Sequence, residues 1–366
     1  MNAYTAVKAA EVEAEASVAR PTEDQELLRA AGKIARDLGK PNPAIYYTDL
    51  LACVILGYGA LALTIATAGV WLKLAFGAFA VLALYRALGF IHELSHLNPR
   101  AMPGFRRFWN LIVGVPLMIP SFMYEGVHNI HHSRTRYGTA GDPEYLPLAL
   151  MPPRMLALFL LASALAPVGL LLRYGILAPL SLLSPRFRHI VVERYSSLVI
   201  NPAFRRDPKE RMAHKDWPLW ETLTSLYAIG WLALTATGVV HWSVLMTVMA
   251  VISGVAVLNQ VRTLVAHLWE NEGEPMTLTE QFLDSANVPP PNPLAALWAP
   301  VGLRYHAMHH LLPSVPYHNL GKAHRALMQQ FGTRGTYNRA NYTGLWVLCR
   351  NLVSSSFRKA RGQAGS

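Results

Sequence analysis

The chain has 366 residues, 52% of them hydrophobic and only 15% charged, where a soluble domain carries about 25% charge. Its mean hydropathy is +0.23 and its apolar residues gather in long uncharged blocks, which argues against a soluble globular protein, a disordered chain or a dedicated nucleic-acid binder. It reads as a membrane protein with a formal charge of +11 at pH 7.

Residues 1–40 are rich in Ala and Glu and lack the apolar core of a secretory signal. Thr22 and Gln25 are spaced as a capping box for a helix with Leu27, Leu28, Ile34 and Leu38 on its apolar side, ending at Pro41-Asn42-Pro43. Residues 1–43 are therefore expected to form N-terminal cytoplasmic or interfacial helices. Residues 50–72 carry no charge, long enough at 1.5 Å per residue to cross a hydrocarbon core of ~30 Å. Residues 74–91 return, and a second hairpin is expected over about 222–240 and 243–262. The turns within these pairs, around Trp71–Lys73 and His241–Trp242, hold a single Lys between them.

Residues 92–216 carry 15 Lys/Arg against 8 Asp/Glu, and residues 301–366 carry 9 against none. The positive-inside rule puts both stretches in the cytoplasm and the hairpin tips outside, with anionic lipid headgroups a natural neighbour. Residues 266–300 run the other way, with Glu270, Glu272, Glu274, Glu280 and Asp284 and no base. Residues 155–183 are apolar but contain Pro167; a single crossing would separate histidines that are expected to cooperate, so the segment should be interfacial or re-entrant. The same holds for residues 111–124, which are short and broken by Pro116 and Pro120.

The expected architecture is an all-α integral membrane protein: four transmembrane helices in two hairpins, interfacial helices, and a helical cytosolic cap from residues 92–216 and 263–330. Residues 44–330 form the membrane domain and residues 331–366 a basic C-terminal tail. Cys53 and Cys349 are the only cysteines and make no metal-binding or disulfide framework.

Eight of the 14 histidines fall in three clusters: His92 and His96; His128, His131 and His132; His306, His309 and His310. Spacings of three and four place each cluster on one helix face. His267 stands alone just beyond the last span. Neutral imidazole binds borderline divalent metals such as iron, zinc and copper. One zinc needs about three protein ligands, so nine converging histidines suit two ions with four or five each. Glu93, Glu125, Asp142 and Glu144 are candidates to accept the ligands' second N–H. Two open-shell metals suit O2 activation better than hydrolysis. His189, His214 and His241 lack partner spacing, and His318 and His324 fit a helix start or a supporting contact better than ligation.

These three boxes in this order, around two hairpins, resemble the membrane fatty acid desaturase and hydroxylase superfamily over about residues 46–327, and Asp142-Pro143-Glu144-Tyr145 is similar to the family as well. The resemblance implies a cytosolic cap over a four-helix stem, a non-haem pair of iron ions, O2 as co-substrate and an acyl chain in a narrow tunnel. It assigns iron ligation to the eight clustered histidines, with His267 matching the family's additional ligand. The third box begins with His306 rather than the Gln of many front-end desaturases. No HPGG haem loop or ferredoxin-type cysteine set occurs, so a separate ferredoxin or cytochrome b-type protein is expected to supply electrons. The run Arg205, Arg206, Lys209 and Arg211 is a candidate docking patch for it, or for lipid headgroups.

The expected activity is desaturation of a membrane fatty acyl lipid. Hydroxylation of an acyl chain, sterol, carotenoid or alkane is the alternative, and a membrane zinc hydrolase or a metal transporter a remote one. The expected location is a multi-pass membrane protein with a cytoplasmic active site, in the plasma membrane if the source is bacterial.

Overall fold

The computed structural model describes residues 22–213 and 215–364; the expectations for residues 1–21 and His214 lie outside it. Among the described residues the secondary structure is helical, with only isolated bridges between extended segments.

Helix α1 (Glu23–Leu38) starts where Thr22 accepts a hydrogen bond from the Gln25 amide, 3.4 Å away. Its buried residues are Leu27, Ala30 and Ala31, which pack with Phe282, Leu320, Leu327 and Tyr337. This face therefore docks on the cap, not on a lipid surface, and Leu28 points outward. Asn42 caps α2 (Pro43–Ala66) with Pro43 in its first turn. The turn to α3 (Val70–His96) falls at residues 67–69, earlier than the expected break near Lys73. The apolar composition runs unbroken through that turn, so charge counting could not locate it. Gly57 lets the two helices close: a Cβ there would lie 2.7 Å from Leu84 Cδ2. Asp49 and Arg86 pair across the same contact.

Helices α7 (Trp217–Ala236) and α8 (Trp242–Leu264) form the second hairpin, turning through Gly238 at φ 74°. Length and composition qualify four helices to cross a bilayer: α2, α3, α8 and the stretch Pro153–Leu183. The count matches expectation but the membership does not. The first turn of α7 holds Trp217, Pro218, Trp220 and Glu221, which lowers its apolarity, whereas Pro153–Leu183 is the most apolar of the four. This stretch is α5 (Pro153–Leu172), continued by a π-turn and short helical turns despite Pro167.

The chain just before that stretch and the chain after the next helix are both held beside the histidine-bearing end of the bundle. At its start, Ala149 N donates to Trp269 O and Ser356 Oγ to Met151 O. Arg173 Nε donates to Tyr195 O and its Nη2 to Glu221. After α6 (Pro185–Tyr195), Leu198 N reaches Met123 O and Ile200 N reaches Pro143 O. The middle of α5 descends along α8, where Ser253 Oγ donates to Ala164 O.

The cap comprises α4 (Glu125–His131), α9 (Leu278–Asp284), α10 (His306–Leu311) and α11 (Tyr317–Phe331). Residues 331–366, expected as a tail, are helical over α12 (Leu345–Ala364). Leu352 of α12 packs with Leu156 of α5, and Leu348 with Val288 and Ala295. The molecule is an all-α integral membrane protein.

Candidate metal centre

Each cluster sits at the end of an element. His92 and His96 occupy the last two turns of α3. His128 and His131 lie on α4, with His132 at its C-cap. His267 follows α8 by three residues, and α10 begins with His306 and carries His309 and His310.

These side chains meet in two groups, each with one ring nitrogen per residue within 4.8 Å of all the others: His92, His96, His128, His132 and His309; and His131, His267, His306 and His310. The second cluster contributes to both groups, as does the third. The groups adjoin, with the His132 and His310 rings stacked at 4.4 Å. Nε2 atoms face each other at 3.1 Å for His128 and His132, 3.1 Å for His96 and His309, and 3.0 Å for His267 and His306. Both ring nitrogens of His92 are buried without a hydrogen-bond partner. Converging nitrogens that cannot all satisfy one another fit a bound cation in each group. Burial, then the neighbouring imidazoles, pushes His128, His132, His309 and His310 well below the usual histidine range; His267 and His306 shift the same way. Such rings are neutral near pH 7, the state a metal requires.

Carboxylates hold the outer nitrogens. Asp142 Oδ2 lies 2.9 Å from His131 Nδ1, and Glu144 Oε1 lies 3.2 Å from His128 Nδ1. Burial works against a charged His131, but Asp142, Glu144 and Asp284 outweigh it and raise its pKa. His267 Nδ1 meets Tyr137 Oη at 2.8 Å and Ser285 Oγ at 3.1 Å. Tyr137 and Tyr145 donate to Asp284, which lies 3.7 Å from the same nitrogen. Burial pushes the carboxyls of Glu144 and Asp284 up to about 7.

Two expected carboxylates act elsewhere. Glu93 points away from its neighbour His92 and accepts from Tyr46 Oη and from Tyr317 N. Glu125 pairs with Arg106 at 2.9 Å. For Glu93 adjacency in sequence misled, because consecutive helical residues diverge by about 100°; Glu125 is drawn off by Arg106. Asp284, Tyr137 and Ser285 escaped sequence reading. They have no fixed spacing to His267; only the acidic run ending at Asp284 hinted at a role. His318 accepts from Asn42 N, and His324 meets Tyr337 Oη at 2.8 Å. His241 caps α8, and His189 lies 3.8 Å from Glu193; none of these four belongs to either group.

The basic run 205–211 is likewise only partly available. Arg206 is 1% exposed, donating to Phe122 O and Ser196 O and pairing with Glu210. Arg211 leans toward Glu221, which also holds Arg173 and Arg188. Arg205 and Lys209 remain exposed.

A helical membrane bundle with paired histidine groups that could hold metal at one end fits a membrane-bound oxidoreductase, and comparison makes the class specific. The fatty acid desaturase family matches residues 66–341, and the chain belongs to that family. It is 48% identical over 344 residues to a protein of Caulobacter vibrioides (strain NA1000 / CB15N) named ceramide hydroxylase, covering 94% of this chain and 97% of that one. No solved structure matches.

Proposed function

We propose that this oxidoreductase hydroxylates the chain of a ceramide-like membrane lipid, using two iron ions held by the nine histidines. The observation that carries the reading is the 48% identity, spread over almost the whole of both chains, with a protein named ceramide hydroxylase. It displaces desaturation, the expected activity, to second place. The reaction consumes O2, two electrons and two protons and converts one C–H bond into C–OH, with the second oxygen leaving as water.

When bound, the iron pair supplies O2 activation for breaking an unactivated C–H bond. The chain's own part is positional. Five imidazoles present one group and four the other, and Asp142, Glu144 and Asp284 hold ring nitrogens on the far side of His131, His128 and His267. Seven of the nine histidines are buried and His96 and His132 half-buried, which excludes bulk water from the reacting carbon. The basic excess of residues 92–216 and 301–366 supports a cytoplasmic placement of this end. Contacts of residues 149–151 with Trp269 and Ser356, and of residues 198–200 with Met123 and Pro143, support both flanks of Pro153–Leu183 lying on that side. Exposed Arg205 and Lys209 are the part of the basic run left for an acidic electron-donor protein.

Incubation with 18O2, reductant and ceramide tests the reaction. A hydroxylase returns product with one 18O atom. A product two hydrogens lighter with no label restores desaturation.

A further inference from the structure

The C-terminal helix α12 has an outer face that the metal centre does not explain. Its inner side is packed: Leu348 lies with Val265, Ala286 and Val288, and Leu352 with Leu156 of α5. What remains outside is a stripe. Trp346, Val353 and Phe357 recur at spacings of seven and four, which aligns them along one side of a helix. All three are exposed, Trp346 by 79%. At about 100° per residue this stripe borders the packed side, and exposed Arg350 and Arg358 follow on its other flank. Lys359 turns the opposite way, toward Glu272 at 3.5 Å.

The height of α12 is set by what it touches. Ser356 Oγ donates to Met151 O, just ahead of the apolar stretch Pro153–Leu183. Leu156, which meets Leu352, lies in the first turn of that stretch. Helix α12 therefore lies across the point where the chain leaves hydrocarbon. Leu158 and Leu161, farther along α5, are exposed as a lipid-facing helix allows. Leu348 also packs with Ala295, whose neighbour Leu294 is exposed, so exposed apolar surface continues beyond α12.

A packed side, an apolar stripe and a basic flank are the three sectors of a helix lying in a membrane interface. Trp suits the headgroup level, and arginine stems can cover apolar surface while their guanidinium groups reach phosphate. Residues 301–366 contain no acid to repel that phosphate. A second copy seated on the same stripe would bring Arg350 and Arg358 against their own images, which like charge disfavours.

We propose that the outer face of α12 is a docking surface for an anionic bilayer. Trp346, Val353 and Phe357 sit among the upper acyl carbons, and Arg350 and Arg358 bind lipid phosphates. The inner side of the same helix holds Val265 and Ala286, which flank His267 and Ser285 in the chain. The bilayer surface thereby sets the height of this part of the metal centre, whichever reaction the centre performs.

Photolabelling of the full-length protein in nanodiscs tests this. The discs mix phosphatidylcholine with phosphatidylglycerol, and one lipid or the other carries an aryl diazirine near the top of its acyl chain. Adducts are mapped by mass spectrometry. Both probes should label Leu158, which reports the hydrocarbon. The docking surface predicts adducts on Trp346, Val353 or Phe357 as well, severalfold more from phosphatidylglycerol than from phosphatidylcholine. In R350E/R358E that excess should disappear while Leu158 stays labelled; an excess that survives removes the arginines from the surface. Labelling of Leu158 with none on α12 overturns the proposal, and so does equal labelling of the stripe by the two lipids in the wild type. Cross-links between two copies through α12, in place of lipid adducts, would give the stripe to a second copy instead. The wild-type comparison stands even where R350E/R358E fails to fold.

Discussion

Asp142 has no exposed surface and lies on His131 Nδ1, also accepting from Gly138 N and Glu144 N. It fixes the ring orientation through a hydrogen-bonded turn, so removing its charge would act on a bound metal only indirectly. Outer partners of this kind change metal affinity by roughly 10–100-fold. Asp142→Asn should therefore lose iron at micromolar chelator concentrations that the wild type withstands, measured as metal per chain. Glu93→Gln, which touches no imidazole, should retain its iron. Equal loss from both variants would show that charge near the site, and not contact, governs binding. The contrast also marks what was legible. The convergence of the eight clustered histidines was, because imidazoles at spacings of three and four share one helix face. Their supports were not, because Asp284 and Tyr137 reach His267 from 17 and 130 residues away, and adjacency spoke for Glu93 where side-chain direction spoke against it.

Among the elements, α5, α6 and α7 are joined through one buried carboxylate. Glu221 is buried and receives Arg173 at 2.5 Å, with Arg188 on its other oxygen. Arg173 also holds Ser196, so one carboxylate ties three helices. Breaking a buried pair from one side costs about 3–5 kcal/mol because it leaves charge unmatched. Glu221→Ala should thus lower the melting temperature in detergent by many degrees, and protease cleavage should appear within residues 185–215; an unchanged melt would mean the arginines find water. The helix hairpin of α2 and α3 rests on a different device. Gly57→Val places methyl groups against Leu84, and overpacking of this sort costs about 1–3 kcal/mol, read as a lower melting point with metal content unchanged. Sequence periodicity located these helices but displaced the first turn and exchanged one member of the span set, since hydropathy registers neither where a helix ends nor which ion pairs hold it.

At the scale of the whole molecule, the proposed reaction needs an electron donor, and the buried state of Arg206 narrows where one would dock. With Arg206 committed to Phe122 and Ser196, charge reversal at Arg205 and Lys209 should slow reduction by an acidic donor and flatten its salt dependence. The same reversal at Arg206 should instead unfold the cap, seen as lost metal. If R205E/K209E is reduced at the wild-type rate at low salt, the donor docks elsewhere. The all-helical class and the two helix hairpins could be anticipated from sequence because each rests on local pattern. The docking of α1 on the cap and of α12 on α5 could not, because both are contacts between segments hundreds of residues apart.

His131 and His132 are neighbours in the chain yet belong to opposite groups, and His309 and His310 repeat the division. A single peptide unit thus spans the boundary between the two halves of the centre, twice. An ion bound in one half would hold backbone that also aims ligands at the other, so filling of the two halves is expected to be coupled. Titration of apoprotein with ferrous ion should accordingly be sigmoidal, passing from empty to doubly filled with little singly filled protein between. Two independent hyperbolic steps would mean that the shared turns are stiff before any ion arrives.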